Sequence, residues 1–185
     1  DNTANGFRAL YNNTIGGNNT ALGSEALYGN KTGDNNTAIG SDADVSASNL
    51  DNATAIGSGA LVNASNKVVI GNSAVSVIGG YANWTNLSDA RFKKNIQKDV
   101  HGLDFIMQLK PVTYNLDIQK LNSFLGVNEN NKNTKQTQAI TTKEAIRYNG
   151  FLAQEVEQAA AAVQYNFSGV IKPANAKDHY SMSYS

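Results

Sequence analysis

The chain of 185 residues has no cysteine, two prolines and one tryptophan. Without thiols it can build neither a disulfide framework nor a thiolate metal site, so its fold rests on packing and hydrogen bonds. Charge of one sign is also lacking, because fifteen basic and fifteen acidic residues cancel. By halves, residues 1–80 hold three basic and six acidic side chains and residues 81–185 hold twelve and nine, giving −3 and +3. Neither half has the strongly basic field of a nucleic-acid binder, so no nucleic-acid partner is expected. No apolar run approaches the ~20 residues that cross a bilayer, so this segment is not expected to insert into a membrane. The two histidines, His101 and His179, have no carboxylates at ligand spacing, so neither metal nor cofactor is expected. The chain begins at Asp1 with no initiator Met or signal-like segment, which reads as a piece of something longer.

What the sequence does have is a repeat. A short strand-like word ends in glycine at Gly6, Gly23, Gly40, Gly57 and Gly71, and alanine follows three residues later each time, at Ala9, Ala26, Ala43, Ala60 and Ala74. The steps are 17, 17, 17 and 14 residues, a period that marks a solenoid. Within Thr37-Ala38-Ile39-Gly40 an extended strand puts Thr37 and Ile39 on one face and Ala38 on the other. The bulky aliphatic residue is expected inside the coil, and the second alanine is expected on a second short strand where only a small side chain fits. Polar spacers such as 29–35 absorb the three extra residues of a 17-residue step, so 14 is the bare coil. The many Asn-x-Thr tripeptides follow from composition and carry no weight as glycosylation sites. Each coil buries a few aliphatic side chains, roughly 1.5–3 kcal/mol apiece, against about 1–2 kcal/mol of backbone entropy per ordered residue. Lateral association of several chains is therefore expected.

These words resemble the head repeats of trimeric autotransporter adhesins over about residues 1–78. The resemblance implies a parallel β-roll with three chains side by side. From the repeats themselves two other readings stay open: a monomeric solenoid with no binding role, and a flat hydroxyl array at Thr20, Thr37 and Thr54 such as ice-binding solenoids carry, although those present a pair of threonines per coil and here there is one.

Composition changes near Gly79-Gly80, and the chain is expected to divide there into a β-roll of residues 1–80 and a second domain of residues 81–185. In the second domain Ser88 and Lys93 stand out. A serine hydroxyl becomes a nucleophile when a base takes its proton, and lysine is that base only if desolvation or neighbouring cations lower its pKa from ~10.4. Arg91, Lys94 and Lys98 are close enough in sequence to act that way. Asp89 either orients the lysine or caps the next element. Downstream, Leu103, Ile106 and Met107 have helical spacing and read as the core-facing side of a helix over 100–109. Residues 111–117 read as a strand, 119–125 as a helix, 126–138 as a polar mobile loop, 148–152 as a strand and 153–163 as a helix. Phe105, Met107, Tyr114 and Phe151 are expected in the core.

Three ordered blocks, Leu87 to Ile96, Gly102 to Tyr114 and Gly150 to Glu157, resemble the self-cleaving intramolecular chaperone at the C-terminus of endosialidase tailspikes and other phage tail fibres. The resemblance spans about 88–185 and implies a small α+β domain that assists trimerisation of the fibre ahead of it and is then released by a serine autoprotease acting on its own chain. Ser88 and Lys93 match the family's catalytic dyad, with Asp89 assisting. Family members continue past a segment like 180–184 into long helices, which this chain lacks. Attack by Ser88 Oγ on the Leu87 carbonyl closes a five-membered ring, whereas cleavage of the Ser88–Asp89 bond requires a nucleophile from another subunit, so which bond is cut stays open. The expected whole is an extracellular homotrimeric fibre or adhesin, on a bacterial surface or a phage virion, binding a glycan or protein. The alternative is a non-cleaving adhesin or binding module on a purely structural β-solenoid.

Overall fold

The computed structural model describes residues 1–81, 85–127 and 134–183. Asn83, Trp84 and Tyr184, and residues 128–133 of the expected loop, lie outside the described residues. By contacts the chain groups into two units: Asp1–Ser76 with Asn115–Arg147 and Pro173–His179, and Val77–Tyr114 with Tyr148–Lys172 and Tyr180–Ser185. Residues 81–185 thus contribute to both.

The first unit contains a parallel β-solenoid. Strands β1 (Thr3–Asn5), β2 (Thr20–Leu22), β3 (Thr37–Ile39), β5 (Thr54–Ile56) and β7 (Val68–Ile70) form one five-stranded parallel wall. Their register pairs like with like, Thr20 with Thr37 and Thr54, and Leu22 with Ile39 and Ile56. A second wall pairs β4 (Asp44–Val45) with β6 (Leu61–Val62). The three extra residues of a 17-residue coil fall between the second strand and the next first strand, where Val45 to Thr54 spans more chain than Val62 to Val68.

The facing of the first wall reverses the sequence expectation. Ala21, Ala38 and Ala55 are fully buried, whereas Leu22, Ile39 and Ile56 are 48 %, 40 % and 37 % exposed. The residues alternate as expected, but a coil this short encloses a narrow interior. The opposite side already fills it with Leu10, Leu27, Val45, Val62 and Leu50, leaving room on the first wall for a methyl group only. Ala26, Ala43 and Ala60 are fully buried as expected, but they precede the second strands rather than sit in them, and no strand forms at Ala26.

Two devices hold coil to coil. Each turn glycine takes a positive φ, from +137° at Gly6 to +80° at Gly71, and a Cβ on Gly23 would lie 2.5 Å from the carbonyl carbon of Gly40. Glycine is required twice over, by the backbone conformation and by the approach of the next coil. The second device is an asparagine ladder. Asn2 Oδ1 accepts from Asn19 N, Asn19 Oδ1 from Asn36 N, and Asn36 Oδ1 from Ala53 N, all at 2.8–2.9 Å. Their amide nitrogens donate to the carbonyls of Gly16, Gly33 and Leu50. Asn19 and Asn36 are buried, so these side chains satisfy backbone groups that the turns leave without partners.

Asp44 interrupts this pattern. It holds the coil position occupied by Leu10, Leu27 and Leu61 and lies opposite Leu61 in the second wall. Its carboxylate accepts from Gly29 N and Val45 N, but burial outweighs those bonds and, with repulsion from Asp42, pushes its pKa up to about 6. Between pH 3.8 and 6 the unfolded chain gives up this proton before the folded one does, so the fold loses stability as pH rises through that window and bears the full cost above it. Asp44→Asn is therefore expected to raise stability at pH 8 by about 1–3 kcal/mol and to leave it unchanged at pH 4. Urea denaturation at the two pH values measures the difference.

The same unit holds two helices. In α2 (Ile118–Leu125), Asp117 caps the start by accepting from Lys120 N, Ile118 is fully buried, and Gly126 ends the helix at φ +72°. A second helix, α3 (Thr134–Glu144), stands where the polar loop was expected to run to 138. Ile140 anchors it by burial, and Glu144 accepts from Ile118 N and Gln119 N at the head of α2. A single buried aliphatic in a polar stretch is too weak a periodic signal to announce a helix.

The second unit is α+β. It comprises α1 (Leu103–Ile106), the antiparallel pair β8 (Val112–Tyr114) and β9 (Tyr148–Gly150), α4 (Ala153–Ala162), and the antiparallel pair β10 (Val170–Ile171) and β11 (Ser181–Met182). Phe105, Val156, Ala159 and Ala160 form its core, with Phe151, Tyr165 and Phe167 packed on it. The Phe105 ring lies 5.3 Å from Tyr165, edge-on, and 5.0 Å from Phe167. The other side of α1 does not pack as expected: Leu103, Ile106 and Met107 are exposed, Met107 at 78 %. The helix is one turn long and offers the core a single residue, Phe105, so the i, i+3, i+4 set faces outward.

Candidate functional site

Ser88 to Lys93 forms a small turn. Asp89 caps a single 3₁₀ turn at Ala90–Phe92 by accepting from Arg91 N, and Lys93 leaves it in an extended conformation. The turn folds the chain back through Phe92 N to Asp89 O and Lys93 N to Ala90 O, both 3.1 Å. This brings Lys93 Nζ to 2.9 Å from Ser88 Oγ, to which it donates. The contact is the one a serine–lysine dyad requires, with its polarity opposite to that of catalysis: the base must first lose a proton and then accept one from Oγ.

The carboxylate of Asp89 faces Arg91 instead of the lysine. Arg91 Nε and Nη2 donate to it at 3.0 and 2.6 Å, which holds the Asp89 carboxyl below its usual range and raises the guanidinium. Arg91, a neighbouring cation of Lys93 in sequence, is thus paired with Asp89. Ser88, Lys93, Lys94 and Lys98 are exposed in the single chain. So are Leu87, Phe92, Ile96, Val100, Leu103, Ile106 and Met107, all between 56 % and 78 %. The turn therefore lies in a stretch of chain rich in uncovered apolar side chains.

Elsewhere in this unit Glu157 pairs with Lys172 and accepts from Tyr180 Oη. Both contacts hold its carboxyl low. Among the described residues no group of three or more His, Cys, Asp or Glu side chains is placed to hold a metal ion, and no helix is long and apolar enough to cross a membrane.

Sequence reasoning missed the asparagine ladder and an ion pair, Lys67 to Asp178, joining residues far apart in the chain. The ladder's signal was present, since Asn2, Asn19 and Asn36 stand four residues before three of the phased glycines.

Residues 88–165 match the family model described as chaperone of endosialidase. The match begins at Ser88 and takes in Lys93, both strands of the β8–β9 pair and α4. No curated protein and no solved structure matches the chain.

Proposed function

We propose that the chain is the C-terminal part of a homotrimeric fibre or adhesin, whose residues 81–185 act as an intramolecular chaperone that brings three copies of the solenoid together and then cuts the chain at Ser88. The observation that carries this reading is the Ser88–Lys93 hydrogen bond at the first residue of the family match. Its supports are the uncovered apolar residues in both parts. In the solenoid, Leu22, Ile39, Ile56 and Ile70 form one outward stripe in register, which also fits the side-by-side packing of autotransporter heads. A stripe of this kind on a soluble rod marks a contact surface.

The chemistry depends on assembly. In a single chain Lys93 is exposed to water. Covering the surrounding apolar residues on trimer formation removes that water and frees the amine to take the Ser88 proton. Oγ then attacks the Leu87 carbonyl, the Leu87–Ser88 C–N bond breaks as its nitrogen takes the proton, and water hydrolyses the resulting ester to a Leu87 carboxylate and a free Ser88 amine. Attack from a neighbouring copy cuts after Ser88 instead. The setting is extracellular, on a bacterial surface or a virion, with a glycan or protein as ligand.

The assembly is tested with Ile39→Asp/Ile56→Asp. Sedimentation equilibrium is expected to give three copies for the unchanged chain and monomers for the variant, and a monomeric mass for the unchanged chain defeats the reading.

A further inference from the structure

The last coil of the solenoid is closed by a segment from the far end of the chain. Lys67 stands at the coil position that Asn2, Asn19 and Asn36 hold in earlier coils. Where they donate to backbone carbonyls, Lys67 Nζ donates to Asn63 Oδ1 at 2.9 Å and to Asp178 Oδ1 at 2.8 Å. The other carboxylate oxygen of Asp178 accepts from Ala174 N at 3.0 Å. Around this pair the backbone is matched too. Asn63 Nδ2 donates to Lys177 O, Asn175 Nδ2 to Asn63 O, and Lys177 Nζ to Ser46 O, at 2.9, 2.9 and 3.0 Å. Asn63 and Asp178 are both buried. Burial by itself raises the Asp178 carboxyl, but the Ala174 N–H, the Lys67 ammonium and the His179 N–H outweigh it and hold the pKa down to about 2. The Asp178 carboxyl is therefore ionised at physiological pH.

These contacts join residues upstream of Ser88 to residues downstream of it. We propose that the last coil, through Ser46, Asn63 and Lys67, is a binding surface for segment 173–179 of the C-terminal product, so that cutting the chain at Ser88 does not release that product. The proposal rests on the cleavage reading above. Hydrolysis at Ser88 breaks one covalent bond and none of these contacts. Lys143, in α3, adds to them by donating to Ser73 O and Val75 O. Cleavage and release become two steps, the second governed by opening of the seal.

The test cuts the chain without using its own chemistry. In the full chain carrying Ser88→Ala, a recognition site for a sequence-specific protease is placed between the exposed Gly79 and Gly80, and the cut protein is passed over a size-exclusion column without denaturant. Both fragments are expected to elute together. Adding Lys67→Met, which leaves the buried Asp178 carboxylate without its cation, is expected to speed loss of the C-terminal fragment at least about tenfold. The uncut variant is checked for folding by circular dichroism, and Asn175→Ala serves where Lys67→Met does not fold, with faster loss again expected. Separation of the cut parent during the run overturns the proposal, as does equal retention by the variant. Because the cut is made externally, neither result depends on whether Ser88 reacts.

Discussion

Ser88→Ala is expected to leave the full chain uncut, with the loss at or beyond the limit of detection. In the proposed reaction the hydroxyl is the nucleophile, and no other described side chain hydrogen-bonds Lys93 Nζ. Lys93→Ala is expected to match it, since an unassisted serine does not attack an amide at a useful rate, and a positioned general base contributes about 10²–10⁴-fold. Lys93→Arg is the sharper variant, because it keeps the charge and can still donate to Oγ but has no accessible neutral form. It is expected to be as inactive as Lys93→Ala while assembling normally. Asp89→Asn is expected to lower cleavage only modestly, since Asp89 holds Arg91 and the 3₁₀ turn and does not reach the lysine. Gel electrophoresis of freshly assembled protein reads all four. Cleavage by Lys93→Arg at the unchanged rate overturns the role of Lys93 as base.

Gly23→Ala is expected to break the solenoid. The residue sits at φ +135°, which alanine adopts only under strain, about 1–3 kcal/mol for such backbone conformations. Its Cβ would also stand 2.5 Å from both carbonyl atoms of Gly40 and 2.9 Å from Ser41 N. Backbone of the next coil cannot yield as a side-chain tip can. The two effects together are expected to cost about 3 kcal/mol or more, against the 5–15 kcal/mol that stabilises a typical domain. In a stack whose coils touch only their neighbours, the damage severs the interface between two coils. Two other glycines separate the causes. Gly59 has φ +65° but open space, its nearest neighbour being Asn72 Nδ2 at 3.6 Å, so alanine there meets backbone strain alone. Gly17 has neither positive φ nor a contact under 3.7 Å, and Gly17→Ala is expected to be nearly neutral. Thermal unfolding should rank them Gly23, Gly59, Gly17.

How much of this was legible beforehand depends on what encodes each feature. The coil period was plain because Gly6, Gly23, Gly40, Gly57 and Gly71 mark the same turn, and only glycine serves there. Facing was not plain. Period-two alternation places Ala38 opposite Ile39 but says nothing about which is inside, and that choice depends on how much volume Leu27 and Val45 bring from the other wall. The failure at α1 is of the same kind: Leu103, Ile106 and Met107 have helical spacing, but in a single turn only Phe105 reaches the core. Pattern finds a face, and the interior volume decides where it points. Helix α3 and the Lys67–Asp178 pair were invisible for another reason. Both are set by contacts between residues distant in sequence, and no local word records them.

Ser88 and Lys93 were found through a spacing of five and a family likeness. The structure adds a 3₁₀ turn that puts their side chains 2.9 Å apart in an exposed setting. The measurement that tests this account most directly is the native mass of the purified full chain, followed by the denatured masses of its components. Three copies are expected, each cut into two fragments that meet at the Leu87–Ser88 or the Ser88–Asp89 bond. An intact chain within a stable trimer, or a cut chain that never leaves the monomer, would contradict the account.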